Sequence, residues 1–104
     1  MARERRETLV LVPAYNEAAI IGHVLEEVRR HASDCDVLVV NDGSRDGTSE
    51  AVERARAGQL ALRCNLAYGP ALQVGFRYAA RAGYGTVILR WERGYHVQRG
   101  RAVR

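Results

Sequence analysis

Two short apolar runs constrain this chain more than any other feature: Thr8-Leu9-Val10-Leu11-Val12 and Asp36-Val37-Leu38-Val39-Val40. A strand with one face in water alternates polar and apolar residues. A continuous β-branched run is buried on both faces, which happens where helices cover both sides of a parallel sheet. Between the runs, Glu17 to His31 repeats apolar residues at Ile20, Ile21, Val24, Leu25 and Val28, one stripe of a helix, with Asn16 placed as its N-cap. Strand, helix and strand in that order call for a right-handed crossover between parallel neighbours.

The alternation continues along the chain. Asp46 or Thr48 caps a second helix reaching about Ala57, with Ala51, Val52 and Ala55 inward and Gly58 as its stop. Gln59 to Cys64 reads as a third strand. Gly69 to Ala82 reads as a third helix from Leu72, Phe76, Ala79 and Ala80, ended at Gly83, and Thr86 to Leu89 as a fourth strand. The order β-α-β-α-β-α-β gives an α/β fold, a parallel Rossmann-like sheet with alternating helices. The chain's 104 residues suffice for one small domain. In such sheets ligands gather outside the carboxyl ends of the strands, where the strand order reverses.

Two of those ends carry polar clusters: Pro13-Ala14-Tyr15-Asn16-Glu17 and Asn41-Asp42-Gly43-Ser44. Neither is a phosphate cradle. The first turn holds no glycine, so G-x-G-x-x-G and the Walker loop are both absent, and the chain has no lysine at all. Glu17 and Asp42 instead offer carboxylates, which accept hydrogen bonds from ribose hydroxyls or a base N–H, each such bond contributing about 1.5–3 kcal/mol. Plainer roles stay open: Asn16 as a cap, Glu17 on a helix dipole, Asp42-Gly43 as a simple turn.

Charge and cysteine content narrow the setting. All sixteen basic residues are arginine, and residues 1–89 balance their charges, so the net charge of +4 belongs to residues 90–104. Cys35 and Cys64 have no metal or redox spacing and read as free thiols. No apolar run approaches the ~20 residues of a membrane span, and the first residues lead into a strand rather than a signal-peptide core, so a cytoplasmic location is expected.

Three segments, "VPAYNEAAIIGHVLEEV", "DVLVVNDGSRDGTSE" and "NLAYGPALQVGFRYAARAGYGTVI", together resemble the amino-terminal half of family 2 of the inverting glycosyltransferases, which have the GT-A fold, and above all its polyprenyl-phosphate branch. The resemblance covers about residues 8–89. It implies a nucleotide pocket lined by Pro13, Ala14, Tyr15 and Glu17, with Asp42 on the base and ribose and Gly43, Ser44 and Asp46 shaping its loop. Asn65, Tyr68, Gly69, Ala71, Leu72 and Gly75 match the family as well, while Ala67 stands where glycine is usual. The implied partners are a nucleotide-diphosphate sugar and a polyprenyl-phosphate acceptor at a membrane surface, which would seat the protein at the inner membrane face; no nucleic acid is expected.

After the fourth strand the resemblance departs from the family. The family's D-x-D, whose last aspartate holds Mg²⁺ or Mn²⁺, is replaced by Trp91, Glu92 and Arg93. Tryptophan and arginine supply no oxygen to a hard cation. Glu92 would point away from the site, and Arg93 is a candidate fixed cation in the metal's place. The sequence therefore offers no catalytic residue, no metal ligand and no cofactor of its own. Residues 1–89 are expected to form the nucleotide-sugar-binding half of a GT-A domain, and residues 90–104 a divergent Arg-rich tail. A truncated or frame-shifted, inactive glycosyltransferase is the first expectation. The alternatives are a non-catalytic nucleotide-binding module, or an Arg-rich tail that binds nucleic acid or anionic lipid. The fourth strand is expected to be an uncovered parallel edge.

Overall fold

In a computed structural model, residues 6–91 and 94–99 are described. The elements run β1 (Thr8–Ala14), α1 (Ile21–His31), β2 (Asp36–Asn41), α2 (Thr48–Arg54), β3 (Gly58–Ala61), α3 (Tyr68–Ala82), β4 (Thr86–Trp91) and β5 (Gly94–Arg99). They build one sheet in the order β3-β2-β1-β4-β5. The first four strands are mutually parallel, with Leu9 opposite Asp36 and Thr8 opposite Thr86.

The continuous apolar runs are buried because both faces of the sheet are covered. Leu9, Leu11, Leu38, Val40, Val87 and Leu89 pack with Ala71, Leu72 and Ala79 of α3. Val10, Val12, Ala14 and Val39 point the other way, onto Ile21, Leu25 and Val28 of α1 and Ala51 and Val52 of α2. Each fully buried aliphatic side chain stabilises this sandwich by about 1.5–3 kcal/mol. Gly75 lets α3 come close to the sheet, since a Cβ there would lie 2.9 Å from Val40 Cγ2 and 3.1 Å from Leu11 Cδ1. Gly83, at φ 87°, ends α3 in the left-handed conformation that glycine tolerates, as the sequence indicated.

Several features differ from the sequence reading. Helix α2 ends at Arg54 rather than about Ala57, and Gly47 rather than Asp46 or Thr48 is its N-cap. Helix α1 begins at Ile21 rather than Glu17, with Ile20 as N-cap. Asn16 does not cap it, since its backbone lies at φ 53° and its side chain is engaged elsewhere. Strand β3 stops at Ala61 rather than Cys64, because the Asn65–Leu66 stretch is drawn to Asp42 at the end of β2. The fourth strand, finally, is not an open parallel edge: β5 folds back antiparallel along all of β4, pairing Trp91 with Gly94 and Thr86 with Arg99. The period-2 alternation of Tyr95 and Val97 with His96 and Gln98 was the available signal for it.

Candidate functional site

Strand order reverses between β1 and β4, since the chain passes from β1 outward through β2 and β3 and then crosses back to β4. A cleft of about 770 Å³ opens there, at the carboxyl ends of the strands, where ligand sites of open α/β sheets form. Its wall takes in Pro13, Ala14, Tyr15, Glu17 and Asp42, which the sequence singled out, and Asn65, Ala67 and Tyr68 from the loop entering α3. Gly43 and Ser44 are not part of that wall; they work behind it.

The loop after β1 and the loop after β2 hold each other through side chains. The Asn16 N–H donates to Ser44 Oγ at 2.9 Å, and the Arg45 N–H returns a bond to Asn16 Oδ1 at 2.8 Å. The Glu17 N–H donates to Thr48 Oγ1 at 2.8 Å and the Ala18 N–H to Asp46 Oδ2 at 3.2 Å. These N–H groups at the entrance to α1 have no intrahelical partner, so side chains of the other loop satisfy them. Thr48 is fully buried, and its hydroxyl also donates to Asp46 Oδ1. That bond, first among the causes, holds the Asp46 carboxyl below its ordinary pKa; bonds from the Ala18 and Thr48 amides add to it.

Asp42 is 6% exposed and its carboxylate already has work inside the protein. Oδ1 accepts from the Leu66 N–H at 2.7 Å and Oδ2 from Asn65 Nδ2 at 3.0 Å. The residue thus positions the third wall of the cleft while keeping part of its acceptor capacity. Gly43 makes this possible, because at φ 70° it approaches so closely that a Cβ would sit 2.4 Å from the Cys64 carbonyl carbon. Ala67, which stands where the resembled family usually has glycine, adopts φ 77° and ψ 164°, a region essentially reserved for glycine, and the residue lines the cleft.

The fourth strand contributes two residues that the sequence reading placed in the Arg-rich tail rather than in the nucleotide pocket. Arg90 points to the α1 side and binds Glu27 Oε1 through Nε at 3.1 Å and Nη2 at 2.8 Å, with its guanidinium 5.5 Å from the centre of the Tyr95 ring. Its side chain is 12% exposed. The partners are too far apart in sequence for any local pattern to announce them. Trp91 is 51% exposed and lines the cleft.

These residues do not suit a hard divalent cation. An indole and a guanidinium supply no oxygen ligand, and among the described residues no three His, Cys, Asp or Glu side chains converge as a metal site. The roles read for Glu92 and Arg93, and residues 100–104 of the basic tail, lie outside the described residues. No helix among the described residues is long and apolar enough to cross a membrane.

Comparison with known proteins agrees with the fold. The family pattern described as Glycosyl transferase family 2 matches residues 9–88. A polyprenol monophosphomannose synthase of Mycolicibacterium smegmatis is 32% identical over 97 residues, an alignment covering 83% of this chain and 35% of that protein. An undecaprenyl-phosphate mannosyltransferase of Micrococcus luteus is 32% identical over 85 residues, covering 77% of this chain and 35% of that protein. Among solved structures, a mannosyltransferase from Pyrobaculum calidifontis in complex with GDP-Man and Mn²⁺ superimposes with a TM-score of 0.69 at 26% identity, over 82% of this chain and 27% of that one. The chain therefore spans about a third of the length of the curated relatives it matches.

Proposed function

The chain belongs to glycosyl transferase family 2, and on that premise we propose that residues 1–89 form the nucleotide-sugar-binding half of a GT-A domain and that the cleft between β1 and β4 receives the nucleotide end of the donor. One observation carries the reading: the strand-order reversal sets Glu17 and Asp42 on one cleft with Pro13, Ala14 and Tyr15. Glu17 is half-buried, lines the cleft, and its carboxylate has no hydrogen-bond partner among the described residues. It is the acceptor for ribose hydroxyls. Asp42 supplies a second acceptor and fixes the loop that closes over the base. Gly43 and Ser44 serve the nucleotide indirectly, by keeping the two loops at the separation this requires.

The names of the relatives support transfer of a mannose to a polyprenyl phosphate, and the neighbour solved with GDP-Man supports a nucleotide-diphosphate sugar as donor; an acceptor held at a membrane surface is part of the proposal. The present sequence holds the donor without transferring its sugar, since Trp91 and Arg90 at the end of β4 bring neither a hard-cation ligand nor a general base to the reacting end. Titration calorimetry with GDP-mannose and UDP-glucose tests this. Binding of at least one, weakened by Glu17→Gln with an unchanged melting temperature, is the expected result; binding of neither overturns it. Turnover of either donor with undecaprenyl phosphate would refute the non-catalytic part alone.

A further inference from the structure

The cleft's charges do not favour a diphosphate. Glu17 and Asp42 line it as carboxylates, and Arg90, the one cation in its wall among the described residues, is already paired with Glu27 at 2.8 Å. Among the described residues, a nucleoside diphosphate placed here would meet two like charges and one neutralised arginine, at a short range where such repulsion is strong. The solved relative with GDP-Man carries Mn²⁺, whereas the end of β4 here presents an indole in the cleft.

The rest of the wall points to a different source of affinity. Tyr15, Tyr68 and Trp91 are 45%, 48% and 51% exposed and all three line the same cleft. Its floor is apolar, with Val12, Ile21 and Ala71. Exposed rings over an apolar floor, beside carboxylate acceptors, fit a flat heterocycle carrying hydroxyls. Base–aromatic stacking is tolerant of base identity and substantial in energy.

We infer that Trp91 is a stacking residue and that the cleft binds the nucleoside portion of its ligand, base and ribose, without a divalent cation and without gain from the phosphates. The inference rests on the nucleotide reading above and deepens it, assigning the binding to the uncharged end of the molecule. Trp91 lies against the base from the β4 side, Glu17 and Asp42 accept from the ribose and base, and the phosphates project past Arg90 into solvent.

The chain's single tryptophan makes the test direct. Uridine, guanosine, UDP and GDP are titrated against the full chain in EDTA and again with Mn²⁺, following Trp91 fluorescence and, independently, equilibrium dialysis. The expected result is that a nucleoside quenches the fluorescence in EDTA, that its diphosphate binds no tighter, and that Mn²⁺ leaves both affinities unchanged. By dialysis, Trp91→Ala weakens nucleoside binding about tenfold while Trp91→Phe keeps most of it; a half-exposed side chain can be truncated without unfolding the domain. If the diphosphates bind only with Mn²⁺, this inference is overturned and the nucleotide reading stands. If nothing binds in either condition, the nucleotide reading falls and takes the inference with it. If nucleosides bind in EDTA but Trp91→Ala binds equally well, the role of Trp91 is refuted.

Discussion

The carboxyl ends of β1 and β2 and the carboxyl end of β4 face the same cleft, yet they are built on different principles. At β1 and β2, neutral and acidic side chains of one loop satisfy the backbone amides of the other: Ser44, Thr48 and Asp46 on one side, Asn16 on the other. Little can shift without leaving an amide unpaired. At β4 the backbone is held by the β5 ladder, and the side chains rely on one ion pair and on rings standing half in water. The first region is shaped by directional bonds that specify position. The second is shaped by surface and charge, which tolerate substitution. That difference explains how Trp91 can occupy the end of β4 without disturbing the fold around it.

The contrast can be broken most forcefully at Gly43. Gly43→Ala places a methyl against the Cys64 carbonyl carbon and forces a side chain onto φ 70°, so a loss of about 3 kcal/mol or more is expected in denaturant unfolding. Retention of wild-type stability would mean that the two loops are not tightly held. Next comes Thr48→Val, which preserves shape but removes the acceptor of the Glu17 N–H. A loss of about 1–3 kcal/mol is expected, together with faster hydrogen exchange at the Glu17 amide. Ala67→Gly acts in the opposite direction. Release of the strained backbone outweighs the added unfolded-state freedom, and thermal melting should report a gain of about 1 kcal/mol.

On the β4 side the effects are smaller. Glu27→Gln keeps a hydrogen-bond acceptor for Arg90 but removes the charge, and a change of about 0.5 kcal/mol, diminished by salt, is expected. The smallest effect belongs to the exposed Asp46 carboxyl. Its folded pKa lies below the unfolded value, so its contribution is fully present above about pH 4 and is lost as pH falls through the lower folded value. Acid titration of wild type against Asp46→Asn should show that component missing in the variant.

Much of this was legible in the sequence, for reasons that can be named. The runs Leu9–Val12 and Val37–Val40 can be buried on both faces in only one kind of architecture, and the stripe Ile21, Leu25, Val28 supplies one of its covers. Glu17 and Asp42 were visible as carboxylates just after those strands, whereas Pro13, Ala14 and Tyr15 were named through the family resemblance. What stayed hidden depends on partners distant in the chain. Asp42 answers to Asn65 and Leu66, Arg90 to Glu27, and Thr48 to the amide of Glu17. Asn16 misled because the same amide that caps helices also sits comfortably at positive φ and bonds a neighbouring loop. Strand β5 was missed because a short alternating segment is a weak signal beside the charge of the tail.

The position of β1 in the sheet has a consequence for the order in which the molecule assembles. It lies between β2, which follows it closely, and β4, whose Thr86 pairs with Thr8 near the other end of the domain. As the chain leaves the ribosome, β1, α1 and β2 can associate early, but one side of β1 waits until residues 86–91 have emerged. Closing that long loop costs entropy before any contact rewards it, so docking of β4 onto β1 is the expected slow step of refolding.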